Sequence, residues 1–150
     1  MKTAYFSLGC FWSPQLEFEK VEGVKKAEVG YCGGDDPNTT YEKVCSGSTN
    51  HAETVKVDFD EKLVSYEDLV RFFFKIHDPT QLNKQGPDIG TQYRSEIFYT
   101  DESQKKIAEK IKNDFNDKFK GKVVTKVSKE KLYQPAEEYH QYYLKRKSFI

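Results

Sequence analysis

The sequence predicts an α+β domain with a ferredoxin-like split βαβ sandwich core, long irregular loops and additional C-terminal helices. The chain has 150 residues, which suits one domain with its own core. Segments with strand and helix periodicity follow each other in the order β-α-β-β-α-β and then α-β-α. Two stretches rich in glycine and turn-forming residues, 30–50 and 78–93, interrupt this frame. We therefore expect a single domain over residues 1–150.

The first predicted strand and helix meet at Cys10. An apolar run over residues 4–8 predicts a short buried strand that stops at Gly9. From Phe11 onward the apolar residues recur with helix period, and Pro14 fits the first helical turn. Cys10 would then face the free N–H groups of a helix start, which favour its thiolate, the nucleophilic form. A structural role stays open, because free cysteine is often buried and aromatic residues after a strand often belong to the core.

Periodicity and capping residues predict the later elements. Further strands are expected over residues 24–31, 51–59, 95–99 and 123–127. Ser65, followed by Asp68, predicts the capped start of a second helix. Residues 101–119 show apolar side chains every fourth position and predict an amphipathic helix. Pro135 predicts the start of a last helix that extends to residue 147.

Composition excludes several classes of function. The 24 basic and 24 acidic residues cancel and form no block of one sign, so no nucleic-acid partner is expected. No run approaches the roughly 18 apolar residues of a membrane span, and no positive-then-apolar leader is visible. The three cysteines have irregular spacing without a CxxC motif, which favours a cytoplasmic protein over a secreted disulfide framework. Three scattered histidines give no metal-site spacing, so neither metal nor cofactor is expected. The polar surface predicts a monomer.

Six segments resemble the peptide methionine sulfoxide reductase A family, in the order in which the family carries them. They are Gly9-Cys10-Phe11-Trp12, residues 30–34, 40–47, 51–53, 77–80 and 85–95. The segments span roughly residues 4–100, and their combination is far more specific than any one alone. The resemblance implies a single catalytic domain that reduces the S epimer of methionine sulfoxide, free or in a protein, to methionine. It also implies a ferredoxin-like core wrapped in irregular chain.

The resemblance assigns roles that match the chemistry of sulfoxide reduction. Cys10 is the expected nucleophile that attacks the sulfoxide sulfur. The sulfoxide oxygen must be protonated or polarised, and the family's pattern places Glu53, Tyr41 and Tyr93 in that role. A carboxylic acid kept neutral by apolar burial, together with phenol hydroxyls, can supply the protons. Asp88 is expected to orient water and the catalytic groups around the cysteine.

The methyl group of the substrate needs an apolar wall, and Phe11 and Trp12 are expected to supply it. His51 and His77 invite a different interpretation, a Cys–His hydrolase or a peroxidase. The family uses neither histidine as a base, so we expect both to hold loops in place. His140 is expected to be a surface or packing residue.

Without the matching segments, each acid and phenol has an ordinary explanation. Glu53 would be a solvated charge at a strand, and Asp88 a turn residue. Tyr41 and Tyr93 would be half-buried tyrosines of the usual kind. A binding module that docks methionine peptides without turnover is a further alternative. The coexistence of one cysteine with two acids and two tyrosines favours the enzyme.

The reaction leaves Cys10 as a sulfenic acid, which a second thiol must condense to a disulfide. Many family members use a cysteine near the C-terminus for this step, but no cysteine follows Cys45 here. Cys32 resembles a family subset in which the Gly-Tyr-Cys-Gly segment carries the resolving thiol, and its flanking glycines are expected to let it approach. Cys45 is expected to be a packed small residue, although a part in resolution stays open. A thioredoxin-type dithiol would then reduce the Cys10–Cys32 disulfide.

Overall fold

A mixed six-stranded sheet with helices packed on one face forms the centre of the molecule. The computed structural model describes residues 1–147. The strands are β1 (Lys2–Leu8), β2 (Val24–Cys32), β3 (Ala52–Phe59), β4 (Lys84–Gln85), β5 (Asp88–Ile89), β6 (Ser95–Tyr99), β7 (Lys126–Lys129) and β8 (Gln134–Pro135). The helices are α1 (Trp12–Glu19), α2 (Tyr41–Cys45), α3 (Tyr66–Lys75), α4 (Glu102–Lys118) and α5 (Tyr143–Lys147), with 3-10 turns at Thr91–Tyr93 and Glu138–His140.

The strand order confirms the predicted fold class. The sheet runs β7-β6-β1-β3-β2-β8, and β4 and β5 form a separate small hairpin. The inner four strands are antiparallel and are connected through α1 and α3, as in a split βαβ unit. β7 joins β6 in parallel and forms one edge, whereas β8 forms the other edge beside β2.

Alternation along the strands gives the sheet two different faces. On the helix face, Phe6 stacks on Phe18 of α1 with 5.0 Å between ring centroids and also contacts Phe73 of α3. This face carries the main core, which extends under α4 through a stack of Phe74 on Phe115. The opposite face carries a smaller cluster of Cys32, Ala52 and Phe98, with Tyr5 and Tyr133 packed against it. Side chains of neighbouring residues on one strand therefore lie in separate environments.

One predicted cap, at Ser65, and two predicted segments are confirmed, and the structure adds a cap at Asp101. The Ser65 hydroxyl accepts a hydrogen bond from the backbone N–H of Asp68 at 3.0 Å, and Asp101 accepts one from Gln104 at 2.8 Å. α4 fills the predicted amphipathic segment, and β6 has the predicted bounds. Within residues 1–147, no helix is both long enough and apolar enough to cross a bilayer.

The predicted helix over residues 135–147 is wrong over most of its length. Pro135 lies in β8, paired with Gly30, and the backbone N–H of Ala136 donates to the carbonyl of Val29 at 2.9 Å. A proline at an edge strand resembles a helix-starting proline in sequence, because neither position needs the missing N–H. The predicted strand over 123–127 begins later, at Lys126, since the N–H of Val124 donates to Pro79 instead.

Candidate active site

Cys10 is held between the end of β1 and the start of α1, as the sequence predicts. Gly9 has φ +98°, and a Cβ at this position would lie 2.8 Å from Cβ of Gln85. The Gln85 amide is itself fixed, because it donates to the carbonyl of Asp78 at 2.8 Å and accepts from its N–H at 2.9 Å. Glycine is therefore required before the cysteine both for its backbone conformation and for this close approach.

Burial controls the protonation of the Cys10 thiol. The residue is partly buried, and burial raises the pKa of its thiol to about 12. The backbone N–H of Trp12 bonds to the sulfur and lowers the pKa, but the charges of Glu53 and Asp88 raise it again. The helix start thus provides the expected donor, yet the desolvation of a charged sulfur outweighs it. Before substrate binds, the thiol is protonated at neutral pH.

Glu53 presents a neutral acid to the site. It lies on the helix face of β3, is 1% exposed, and accepts a hydrogen bond at Oε1 from the N–H of Phe11 at 3.3 Å. Its Oε2 is buried and has no hydrogen-bond partner in the described structure. Burial, with a smaller contribution from the charge of Asp88, raises the pKa of the carboxyl to about 8, although the hydrogen bond from Phe11 acts in the opposite direction. A carboxylic acid at pH 7 with one free oxygen is suited to donate a proton.

The two tyrosines are placed by short turns of chain. The N–H of Tyr41, the first residue of α2, donates to Oε2 of Glu137 at 3.0 Å. Tyr93 ends a 3-10 turn that Arg94 closes by donating from Nη1 to the carbonyl of Thr91 at 2.9 Å. Burial raises the pKa of both phenols, to about 12 for Tyr93. Both remain protonated and can donate hydrogen bonds.

Asp88 and Cys10 line the same groove. The other lining residues are Leu8, Ser13, Pro14, Glu17, Ile76, His77 and Gln85. Asp88 comes from the β4–β5 hairpin, which brings its charge close enough to raise the pKa of both Cys10 and Glu53. The structure therefore brings together all three acidic or thiol groups that the sequence assigned to the reductive step.

Phe11 and Trp12 differ in what they offer a substrate. Phe11 is 1% exposed, and its ring packs behind the site against Tyr31 and His140. Trp12 is partly exposed, and one face of its indole stacks on Tyr143 with ring centroids 3.9 Å apart. The apolar surface available to a ligand comes from Trp12, with Phe11 as its support.

Cys32 lies on the other face of the sheet from the predicted acid. It follows Tyr31, whose side chain faces the helices and donates to Glu137 at 2.7 Å. Cys32 itself is 0% exposed, and its Sγ donates to the carbonyl of Lys131 at 3.5 Å. A Cβ at Gly34 would lie 2.3 Å from the carbonyl oxygen of Thr49, so only glycine leaves room for the backbone at Thr49 to approach this closely.

Cys45 is exposed, contrary to the expectation of a packed residue. Val44 is the one buried residue of α2, and the next residue, Cys45, faces solvent. The Tyr41 hydroxyl donates a hydrogen bond to the Cys45 sulfur. A charge on Cys45 raises the pKa of Cys10 and of Tyr93, so the thiol lies within electrostatic range of the site.

Two of the histidines hold chain segments, as expected. Nδ1 of His51 accepts from the N–H of Gly34 at 3.0 Å, and its Nε2 meets the carbonyl of Asp36 at 2.6 Å. His77 bridges the Phe73 carbonyl and the Ser95 hydroxyl at 2.6 and 2.8 Å. Burial lowers the pKa of His77 to about 4. Among residues 1–147, no three His, Cys, Asp or Glu side chains are grouped as a metal site requires.

Two residues of the C-terminal segment, His140 and Glu137, make contacts with the site that sequence reasoning did not specify. His140 is 2% exposed, and its Nδ1 accepts a hydrogen bond from the indole N–H of Trp12 at 3.1 Å. Glu137 accepts from both Tyr31 and Tyr41. No local pattern marks these contacts, because they join positions 128, 106 and 96 residues apart. The available signals were the tyrosines around His140 and the resemblance of residues 135–141 to the start of the family's C-terminal helix.

Comparison with known proteins agrees with this geometry. A family model described as "Peptide methionine sulfoxide reductase" matches residues 2–149. The chain belongs to the peptide methionine sulfoxide reductase family. It is 60% identical over 147 residues to the "Peptide methionine sulfoxide reductase MsrA" of Pelagibacter ubique, with 98% of this chain and 100% of that protein covered.

Solved structures of relatives show the same fold. The reduced form of Mxr1 from Saccharomyces cerevisiae superposes with a TM-score of 0.93 at 37% identity, covering 98% of this chain and 86% of that one. A structure of Mxr1 in complex with Trx2 gives a TM-score of 0.69 at 26% identity, covering 91% and 81%. The family and the fold class predicted from sequence are confirmed.

Proposed function

We propose that this protein reduces the S epimer of methionine sulfoxide, free or in proteins, to methionine, and that a thioredoxin-type dithiol regenerates it. The observation that carries the proposal is the Glu53 carboxyl, neutral at pH 7 and with Oε2 unpartnered, close to the half-buried thiol of Cys10. Membership of the reductase family supports the reaction class. The complex of Mxr1 with Trx2 supports the choice of a thioredoxin as reductant.

The reductive step transfers one oxygen atom from the substrate sulfur to the Cys10 sulfur. Glu53 donates a proton to the sulfoxide oxygen, and the phenols of Tyr41 and Tyr93 stabilise it by hydrogen bonds. The sulfur of Cys10 attacks the substrate sulfur, and Glu53 recovers its proton from the thiol. The new S–S bond and the substrate S–O bond then break as the hydroxyl group moves to the Cys10 sulfur. The products are methionine and a Cys10 sulfenic acid, so no net proton is consumed. Asp88, which lines the same groove as Cys10, orients water and the groups around the reacting sulfur.

A protonated resting thiol fits this scheme. Because the pKa of Cys10 is about 12, the reactive thiolate forms only when a bound sulfoxide can accept the proton through Glu53. Thiolate character governs how easily cysteine is oxidised, so the resting enzyme resists other oxidants.

The contacts of the histidines argue against a Cys–His hydrolase. Both ring nitrogens of His51 and of His77 are occupied by backbone or hydroxyl partners that hold the fold. Neither ring has a free nitrogen to serve as a base for Cys10. A binding module is distinguished by turnover, since it would neither release methionine nor oxidise a thiol.

We propose Cys32 as the thiol that condenses with the Cys10 sulfenic acid, forming the S–S bond and releasing one water. Its place in the Gly-Tyr-Cys-Gly segment and the lack of any cysteine after Cys45 support this. The Cys32 sulfur must leave its buried position on the far face of the sheet, which requires the end of β2 to open. Cys45 is exposed and lies within electrostatic range of Cys10, so it is the alternative partner.

The experiment is a free-thiol count after excess methionine S-sulfoxide is added without any other reductant. Wild type should lose two thiols and release methionine, Cys32→Ser should lose one, and the matched variant Cys45→Ser should lose two. Cys10→Ser should lose none and release no methionine while keeping its fold. Two thiols lost in Cys32→Ser but one in Cys45→Ser would transfer the resolving role to Cys45. No methionine from wild type would refute the proposed function, and equal release from the R epimer would refute the epimer preference.

We further propose that the protein acts as a monomer in the cytoplasm, without a nucleic-acid or membrane partner. The balanced charge and the absence of a same-sign block support this. Sedimentation at micromolar concentration should give the mass of one chain, and a dimer mass would contradict the proposal.

A further inference from the structure

The connection between β7 and β8, residues 130–133, passes over the face of the sheet on which Cys32 lies. The two strands that it joins form opposite edges of the sheet. Between them, the ring of Tyr133 packs on Tyr5 with 5.1 Å between ring centroids, and its hydroxyl donates to Oε1 of Glu28 at 2.8 Å. The connection is therefore part of the cover that leaves Cys32 without exposed surface.

Lys131 holds the end of β2 through its backbone. Its carbonyl oxygen accepts a hydrogen bond from the Cys32 thiol at 3.5 Å and another from the backbone N–H of Gly33 at 2.9 Å. Burial raises the pKa of the Cys32 thiol to about 12, so the covered sulfur is protonated and is a poor nucleophile. Because this sulfur must leave its position to meet Cys10, the end of β2 has to separate from Lys131 first.

The Lys131 side chain makes a second link, to Asp35. Its Nζ lies 2.7 Å from Oδ1 of Asp35, three residues after Cys32. Asp35 is itself fixed, because its backbone N–H donates to the carbonyl of Thr49 at 2.8 Å and its Oδ2 accepts from Nδ2 of Asn50 at 2.8 Å. One oxygen of the carboxylate thus binds the body of the protein, and the other binds the connection.

We propose that Asp35 is a positioning residue for the resolving step: its ion pair with Lys131 keeps residues 130–133 closed over Cys32, and release of this pair precedes disulfide formation. The inference rests on the proposed function, because it concerns the thiol proposed to resolve Cys10. In this step an S–S bond forms between the two sulfurs, the S–O bond of the sulfenic acid and the S–H bond of Cys32 break, and one water leaves. Loss of the ion pair should speed this step and leave sulfoxide reduction unchanged, since the groove at Cys10 is lined by other residues.

The first measurement is the rate at which iodoacetamide modifies Cys32, followed by mass spectrometry of a chain in which Cys10 and Cys45 are replaced by serine. Asp35→Asn and Lys131→Gln should each raise this rate about two- to fivefold, the range expected for one exposed ion pair. The two substitutions change the local charge in opposite directions. A purely electrostatic effect on the thiol would therefore raise one rate and lower the other.

Asp36→Asn is the matched control for the alkylation rate. It removes the same charge from the next residue, whose carboxylate lies 3.9 Å from Lys43 instead, so it should leave the rate unchanged. The exchanged pair, Asp35→Lys with Lys131→Asp, should restore most of the wild-type protection. Added salt should speed alkylation of the parent chain, because it screens the ion pair, but should have little effect on the two single variants.

The second measurement uses the Cys45→Ser chain, turned over once with methionine S-sulfoxide in the presence of dimedone, which captures sulfenic acids. The ratio of Cys10–Cys32 disulfide to captured Cys10 reports how fast the disulfide forms. Asp35→Asn and Lys131→Gln should raise this ratio about two- to fivefold, while methionine release stays as fast as in the parent chain.

The outcomes separate this inference from the proposed function. If wild type releases no methionine, the proposed function fails, whereas the alkylation rates still test the cover. Unchanged alkylation in both variants, or opposite changes that follow the charge, would refute closure by the ion pair. Faster alkylation with an unchanged disulfide ratio would refute its role in resolution. An active Cys45→Ser chain that forms no disulfide would refute that role as well, because Cys32 would not be the resolving thiol.

Discussion

Two buried glutamates on neighbouring parts of the sheet show how differently one residue type can be used. Glu96, on β6, is 4% exposed, and both of its oxygens are satisfied. Nε of Arg94 donates to Oε1 at 2.7 Å, and the Ser128 hydroxyl donates to Oε2 at 2.6 Å. Glu53, on β3, is 1% exposed and has one long hydrogen bond from Phe11 and an oxygen with no partner.

The difference lies in the partners, because both carboxyls are buried. A guanidinium and a hydroxyl make Glu96 a stable ionic link that ties β6 to β7 and to the turn carrying Tyr93. Within residues 1–147 no cation lies beside Glu53, so burial raises its pKa and keeps it protonated. A buried acid with complete partners holds the structure, whereas one with an unused oxygen can give up a proton. The following predictions test this contrast, from the largest expected effect to the smallest.

Glu53→Gln should slow the reductive step by about 10²–10⁴-fold, since it removes a general acid while preserving shape. The measurement is single-turnover release of methionine at pH 7. Glu96→Gln is the matched control and should leave this rate constant close to that of wild type. An equal loss of this rate constant in both variants would show that the two acids do not differ in function.

Arg94→Gln should lower the free energy of unfolding by about 3–5 kcal/mol, because it leaves the charge of Glu96 buried without its cation. Urea denaturation at pH 7 measures this. A change below about 1 kcal/mol would show that Glu96 does not depend on the ion pair.

Glu53 should make the protein less stable as pH rises. Its pKa is about 8 in the folded chain and near the ordinary 4.5 when unfolded, so between these values the folded state binds more protons. Its contribution to the free energy of unfolding should therefore fall by a few kcal/mol from pH 5 to pH 8, because the folded and unfolded pKa values differ by on the order of three units. Glu53→Gln should remove this slope in urea titrations, and an unchanged slope would contradict the assigned burial effect.

Ser128→Ala should have the smallest effect, a loss of about 1.5–3 kcal/mol in the free energy of unfolding for one hydrogen bond to a charged acceptor. Urea denaturation of this variant and of Arg94→Gln compares how much each of the two partners of Glu96 contributes to the free energy of unfolding. If Ser128→Ala were the more damaging change, the hydroxyl rather than the guanidinium would be the main support of Glu96.

Sequence reasoning succeeded where a local rule determines the structure. Strand alternation, the cap at Ser65 and the Cys10 junction all depend on residues close together in the chain, and each appears as predicted. It failed where distant segments decide the outcome. Pro135 joins a sheet edge because β2 offers a free ladder position, which no local signal at the proline reveals.

The site followed the same division. The family segments predicted that Cys10, Glu53, Tyr41, Tyr93 and Asp88 share one site. They did not reveal that burial raises the pKa of Cys10 more than the N–H group at the helix start lowers it. The face on which Cys32 lies depends on the register of β2, and the contact of His140 with Trp12 depends on how the C-terminal segment packs. The assignment of roles to these residues stays a prediction until the variants are measured.

The two edges of the sheet have a consequence for behaviour at high concentration. β7 presents Lys126 and Lys129 to solvent, and β8 is only two residues long and contains a proline. A foreign strand that tried to extend the sheet would have to bury lysine charges at one edge and would find few free backbone groups at the other. Such edges discourage strand-to-strand aggregation. That property suits an enzyme proposed to work on oxidised proteins, whose own strands are often partly exposed.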